Sequence, residues 1–128
     1  MDLQSLDTKT RAEEGEWMTL VHPGTRHEIV DENGETVQIK LLGRDSETYR
    51  AEIHKANREA TKNSKQPYND DLVVELLVKC TVDWEGVVYK GDHLECTHEN
   101  AKWLYHQFPW IREQADTFQY NRANYLGN

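Results

Sequence analysis

The chain has 128 residues, of which 37% are hydrophobic and 30% charged, and its formal net charge is -8. This composition predicts one globular domain with a modest core and excludes a wholly disordered chain. The longest strongly apolar stretch, residues 72–78, is interrupted by Glu75 and is far shorter than the roughly 20 residues of a membrane-spanning helix. The first residues have neither the basic nor the apolar segment of a secretion signal, which predicts a cytoplasmic protein.

Negative charge is spread evenly along the chain. Residues 1–64 carry 9 basic and 13 acidic side chains, and residues 65–128 carry 6 and 10. A surface that is acidic throughout repels phosphate, which argues against a general nucleic-acid binder. Residues 50–65 are a local exception with five basic and two acidic residues, which is typical of a solvated helix face.

The first third of the chain shows the alternation of strands. Residues 1–14 are polar and aperiodic, and they predict a flexible N-terminal arm or a short helix at most. The Asn33-Gly34 pair favours the positive φ of a hairpin turn, and Val37, Ile39 and Leu41 then alternate with polar residues. We expect a three-stranded antiparallel unit with strands over residues 17–22, 26–30 and 35–42.

The remainder of the chain has mainly helical periodicity. Helices are predicted over about 46–63, from Asp70 or Asp71 to Cys80, from the cap Thr97 to Phe108, and from Pro109 to Gly127. A central strand is the alternative for residues 72–80. Residues 65–69 are the predicted linker, and residues 87–89 a short extended piece before a turn. The prediction is an α+β fold with residues 15–128 as one domain, β-rich over 15–43 and helical over 45–126, with about four helices.

Catalytic and metal-binding patterns are weak in this sequence. Thiolate and imidazole groups suit zinc, and the candidate ligands are Cys80, His93, Cys96 and His98. Their spacing matches no zinc motif, and no orienting group supports a Cys-His nucleophile. The two cysteines are expected to remain thiols. We predict no catalytic, cofactor or metal site.

Aromatic residues outside the predicted core stripes are candidates for partner contacts, because interface anchors are often aromatic. Trp103 lies beside the apolar stripe of its helix, and Tyr120 lies off the face of the last helix. For these two residues a core role and an interface role are equally open. For Trp84 and Trp110 a core role is favoured. The predicted partner-binding residues are Trp103, Tyr120, Trp110 and Tyr125.

Several segments resemble the tail assembly chaperones of long-tailed bacteriophages and prophages. The strand-to-helix segment VQIKLLGRDSETYR (37–50) is similar to that family's corresponding junction. WEG (84–86) followed by THENA (97–101) is similar to its middle segment. The most specific similarity is the ending, YHQFPWIREQ (105–114) and NRANYL (121–126). The resemblance covers roughly residues 15–128.

The resemblance implies a non-enzymatic function. Such chaperones bind the tape measure protein in the host cytoplasm, keep it soluble until the tail tube polymerises around it, and are absent from the mature virion. A longer form made by ribosomal frameshifting is thought to recruit tail tube protein. Covering a long client favours many copies, so we expect a homo-oligomer or multiple copies per client.

Two other functions are compatible with the residues. One is a structural virion protein, such as a head–tail connector or decoration subunit, with the hairpin as its assembly surface. The other is a small metal-binding enzyme or regulator that uses the cysteines and histidines named above.

Overall fold

Strand β2 (Gln38–Leu41) is the middle strand of a three-stranded antiparallel sheet, between β1 (Glu16–Thr19) and β3 (Thr81–Glu85). The computed structural model describes residues 1–63 and 69–127. Met18 and Trp84 are the register partners of Ile39 on either side, and all three side chains are buried. This row of apolar side chains faces the main core, since alternate residues of a strand point to the same face.

The predicted α+β fold is confirmed, but the third strand is not the predicted one. Residues 26–30 make only isolated bridges, Val21 with Glu28 and Val30 with Thr36. Strand β3, from the half predicted to be helical, pairs along the whole of β2 instead. This pairing buries Trp84 against Ile39, a contact between distant residues that local periodicity does not reveal.

Five helices are found among the described residues: α1 (Thr8–Glu14), α2 (Glu47–Asn63), α3 (Asp70–Cys80), α4 (His98–Gln107) and α5 (Pro109–Tyr120). Short 3-10 helices cover Leu3–Leu6 and Arg122–Tyr125. None of these helices has both the length and the apolarity that crossing a bilayer requires. A strand over residues 72–80 is excluded, because that segment lies in α3.

Side-chain caps explain where three of the helices begin. The Ser46 hydroxyl accepts from the Tyr49 N–H at the start of α2, and the Thr97 hydroxyl accepts from the N–H of residue 100 at the start of α4. Thr97 is the cap predicted for α4. Helix α3 is capped instead by Asn69, whose side chain accepts from the Leu72 N–H. The other residues of the predicted linker, 65–68, lie outside the described residues.

Helix α3 is the central helix, as its apolar circumference predicts, and it packs against α2, α4 and α5. It passes directly into β3, and the Thr81 hydroxyl donates to the Leu77 carbonyl at 2.6 Å. Its buried residues are Val73, Val74, Leu76, Leu77, Val78 and Cys80.

The N-terminal segment contains the short helix that the sequence allowed, and this helix is packed against the domain. Ala12 of α1 is buried, and its carbonyl accepts from the Gly43 N–H at 3.0 Å. Of the two predicted alternatives for this segment, a flexible arm or a short helix, residues 8–14 form the helix.

The last helix ends earlier than predicted. Helix α5 stops at Tyr120, because the Asn121 side chain accepts from the Ala123 N–H and starts a 3-10 turn. This turn directs Tyr125 into the protein, where its hydroxyl donates to the Leu41 carbonyl at 3.0 Å.

Candidate partner-binding surface

Four aromatic side chains meet at one side of the domain, and we call them the aromatic surface: Tyr89, Trp103, Phe108 and Trp110. The rings of Tyr89 and Trp103 are 4.7 Å apart between centroids, and those of Trp103 and Phe108 are 5.6 Å apart. Phe108 also contacts Tyr89 at 6.3 Å and Trp110 at 6.5 Å. All four pairs are edge-to-face, an arrangement worth about 0.5–1.5 kcal/mol per pair beyond area burial.

A small hairpin positions Tyr89. Its strands are β4 (Val88–Tyr89) and β5 (Asp92–His93), and the two turn residues, Lys90 and Gly91, have φ angles of 51° and 86°. Two successive positive φ angles are the signature of a tight hairpin turn. The indole N–H of Trp84 donates to the Leu94 carbonyl at 2.6 Å, so the hairpin is fastened to the core of the main sheet.

The break between α4 and α5 positions the other three rings. Phe108 lies between the two helices with φ -122° and ψ 81°, and Pro109 is the first residue of α5. A proline disfavours helical backbone in the residue before it, so α4 ends here and the chain changes direction. Trp103 comes from α4 and Trp110 from α5, and the break brings both beside Phe108.

The aromatic surface is packed on its inner side and open on its outer side. Trp103, Phe108 and Trp110 are half-buried and pack against the main core. Tyr89 is 40% exposed, and its neighbour Val88 is 48% exposed. Rings that are held by the core but reach solvent are suited to bind an apolar partner, because little conformational freedom remains to be lost.

The structure brings two of the four predicted partner-binding residues together, Trp103 and Trp110. Tyr120 is 59% exposed but lies elsewhere, with the Arg44 guanidinium carbon 4.2 Å from its ring centroid. Tyr125 is only 1% exposed, so its assignment to a partner contact is wrong. Trp84 is buried, which confirms the core role favoured for it.

Sequence reasoning missed Tyr89 and Phe108 as members of this surface. In the sequence, Phe108 continues the apolar stripe of α4, and such a position predicts a core residue. The helix ends before Phe108 because Pro109 follows it, and this places the ring at the surface. Tyr89 ends a short apolar run that is followed by Lys90 and Gly91. An apolar run before such a turn pair could have predicted the hairpin.

The candidate zinc ligands do not converge. Cys80 is fully buried in a small cluster with Tyr49 and Leu76, whereas Cys96 packs at the edge of the main core. His93 and His98 are exposed. Within residues 1–63 and 69–127, no three histidine, cysteine or carboxylate side chains are arranged to hold a metal ion.

The two thiols are also poor nucleophiles. Burial raises the pKa of Cys80 to about 12 and that of Cys96 to about 11. Both groups are therefore protonated at neutral pH, and the reactive form of a cysteine is the thiolate.

Comparisons of the chain with known protein families, with curated proteins and with solved structures found no match.

Proposed function

We propose that this protein is a tail assembly chaperone that binds a phage tape measure protein through the aromatic surface and keeps it soluble for tail tube assembly. The observation that carries the proposal is the partly exposed cluster of Tyr89, Trp103, Phe108 and Trp110. Phe108 and Trp110 belong to residues 105–114, where the sequence most specifically resembles this family.

The chemistry of the client fits such a surface. A tape measure protein is long and helical, and its apolar stripes aggregate when they are exposed to water. Amphipathic helices bind apolar surfaces through residues spaced three and four apart. Aromatic anchors that are already ordered by the core give such an interface most of its binding energy.

The net charge of -8 supports the same role. Each bound copy adds negative charge to the client, and net charge keeps an assembly in solution. The site of action would be the host cytoplasm, and the proposal includes the longer frameshifted form that recruits tail tube protein.

The test is co-expression of this chain with a phage tape measure protein. The expected result is that the chain moves the tape measure protein into the soluble fraction and elutes with it. The variant Trp103→Ala should weaken the complex by about 30-fold, because truncating a central aromatic anchor costs about 2 kcal/mol.

Tyr120→Ala is the matched control, since it removes an exposed aromatic ring outside the aromatic surface. Circular dichroism should show that both variants fold. An insoluble tape measure protein in the presence of the folded wild-type chain would refute the proposal. Many copies of the chain in purified particles, measured by mass spectrometry, would instead favour a connector or decoration subunit.

A further inference from the structure

A second binding feature is the outer edge of strand β1, which is an edge strand of the main sheet. Leu20, directly after β1, donates its N–H to the Val37 carbonyl at 2.9 Å, towards the β2 side. In an antiparallel pair, the backbone groups of successive residues point alternately towards and away from the partner strand. The N–H and C=O groups of Trp17 and Thr19 therefore point away from the sheet. In the described part of the chain, none of these four groups has a hydrogen-bond partner.

The side chain of Gln114, from α5, shows what this edge binds. Its amide nitrogen donates to the Val21 carbonyl at 2.8 Å, and its amide oxygen accepts from the Val21 N–H at 3.0 Å. A neighbouring strand would make the same two hydrogen bonds with Val21, whose backbone groups point to the same side as those of Trp17 and Thr19. Gln114 therefore closes the edge at Val21, and the edge along β1 itself remains open.

A groove runs along this open edge, and we call it the edge groove. Its two parts have volumes of about 520 and 420 Å³, and residues of β1 line both of them. Phe118 and Asn124 line both parts as well, so the two parts are continuous. A groove between a strand edge and a helix is an arrangement in which extended peptides bind by adding a strand. The residues on the side of α5 and the following turn are Gln114, Thr117, Phe118, Asn121 and Asn124.

The side chains of the edge groove indicate the chemistry of its occupant. The half-buried ring of Phe118 offers an apolar contact to both parts. The charges of the lining are balanced, and Arg11 already pairs with Glu16 at 2.9 Å. The net charge of -8 on each copy opposes pairing of two copies along this edge. An uncharged segment of another polypeptide therefore fits best. The charged lining residues are Arg11, Glu16, Arg26 and Glu113.

We propose that the edge groove binds an extended, uncharged segment of another polypeptide, which adds a strand to the outer edge of β1. The backbone of this segment pairs with the outward groups of Trp17 and Thr19, which lie about 7 Å apart along the strand. Every second side chain of the segment points into the groove, where an apolar one packs on Phe118. The proposal stands apart from the proposed function, because the aromatic surface can bind a helical client while the edge groove is empty.

The test is a titration of the isotope-labelled full chain, followed by NMR, with the uncharged peptide acetyl-Thr-Val-Thr-Val-Thr-amide at up to millimolar concentration. The amide signals of Trp17 and Thr19 should shift, and hydrogen exchange of both amides should slow about tenfold at saturation, because paired amides exchange only after opening. The same peptide with every backbone nitrogen methylated is the control. It has no N–H to donate, so it should bind about tenfold more weakly or not at all.

A pair of variants tests the position of the bound segment. Thr117→Trp places a large ring in the edge groove from an exposed position of α5, and it should weaken peptide binding about tenfold or more. Thr61→Trp is the matched control, since it makes the same replacement at an exposed position of α2, and it should bind like the wild type.

Three results would overturn the proposal. The first is that the amide signals of Trp17 and Thr19 do not respond to the peptide, or respond equally to its methylated form. The second is equal peptide binding by Thr117→Trp and Thr61→Trp. The third is protection of the two amides that grows with protein concentration in the absence of peptide, which would make a second copy the occupant of the groove.

Discussion

The replacement of Gly43 by alanine tests how tightly three parts of the chain meet at the β2–α2 junction. The Gly43 N–H donates to the Ala12 carbonyl of α1, and its own carbonyl accepts from the Ser46 hydroxyl at 2.7 Å. The ring of Tyr125 closes the third side. Gly43 is not among the glycines with positive φ, so alanine is compatible with the backbone there.

The size of the destabilisation by Gly43→Ala follows from the contacts of the added methyl group. It would lie 2.8 Å from the Ala12 Cβ and 3.0 Å from two ring carbons of Tyr125. Carbon atoms pack at about 3.5–4.0 Å, so α1 or Tyr125 must move by several tenths of an ångström or more. Overpacking of this kind costs about 1–3 kcal/mol, whereas a glycine-to-alanine change without a clash gains about 0.4–1 kcal/mol. We expect a net destabilisation of about 1–2 kcal/mol.

The measurement is urea denaturation of the wild type and of Gly43→Ala. Gly24→Ala is the control, because its methyl group meets only the exposed ring of His22, and it should leave stability unchanged or slightly higher. Adding Ala12→Gly removes one of the clashing atoms and should recover part of the loss in a double-mutant cycle. A Gly43→Ala protein as stable as the wild type would show that the junction is not close-packed.

Three further predictions concern an ion pair, a cap and the thiols. The hydrogen bonds from Arg122 lower the pKa of Asp45 from 3.8 to about 2, so the stability they provide is complete above about pH 4 and disappears as the pH falls towards 2. Asp45→Asn should therefore lower the free energy of unfolding by about 0.5–1 kcal/mol at neutral pH, because Arg122 is half-exposed and the pair is screened by solvent. The free energies of unfolding of the two proteins, measured by urea titration, should become equal near pH 2; a difference independent of pH would contradict this. Thr97→Ala should lower the free energy of unfolding by about 1 kcal/mol, while Thr97→Ser, which keeps the capping hydroxyl, should not. Thiol labelling followed by mass spectrometry at neutral pH should modify Cys96 slowly and Cys80 only after unfolding, and rapid labelling of native Cys80 would show that it is not buried.

The helices were predictable because their signals are local. The stripe of Ile53 and Ala56, the cap at Thr97 and the proline at position 109 each act within a few residues. The third strand was not predictable in this way, since the pairing of β3 with β2 joins residues that are distant in sequence. Trp84 is buried because it lies beside Ile39 on the neighbouring strand, and the sequence near Trp84 does not reveal this contact.

The aromatic surface was predictable only in part, because it too depends on contacts between residues that are distant in sequence. Trp103 and Trp110 stand out because they do not fit the apolar stripes of their helices. Tyr125 does fit the stripe of an unbroken last helix, but the side-chain cap at Asn121 changes the direction of the chain and buries it. Tyr89 reaches the surface through a hairpin whose strands have two residues each, below the length at which alternation is informative.

The placement of β2 between two strands from distant parts of the chain has a consequence for biosynthesis. A nascent polypeptide that has not reached residue 70 can form the β1–β2 pair, but the other edge of β2 still has free backbone groups. Ile39 and Leu41 then also lack the cover of α3. Helix α3 and strand β3 are joined without a loop. Synthesis of this one segment therefore supplies both the partner strand for β2 and the helix that covers Ile39 and Leu41. Truncated products that end before residue 70 are therefore the forms of this protein that should aggregate or attract host chaperones and proteases.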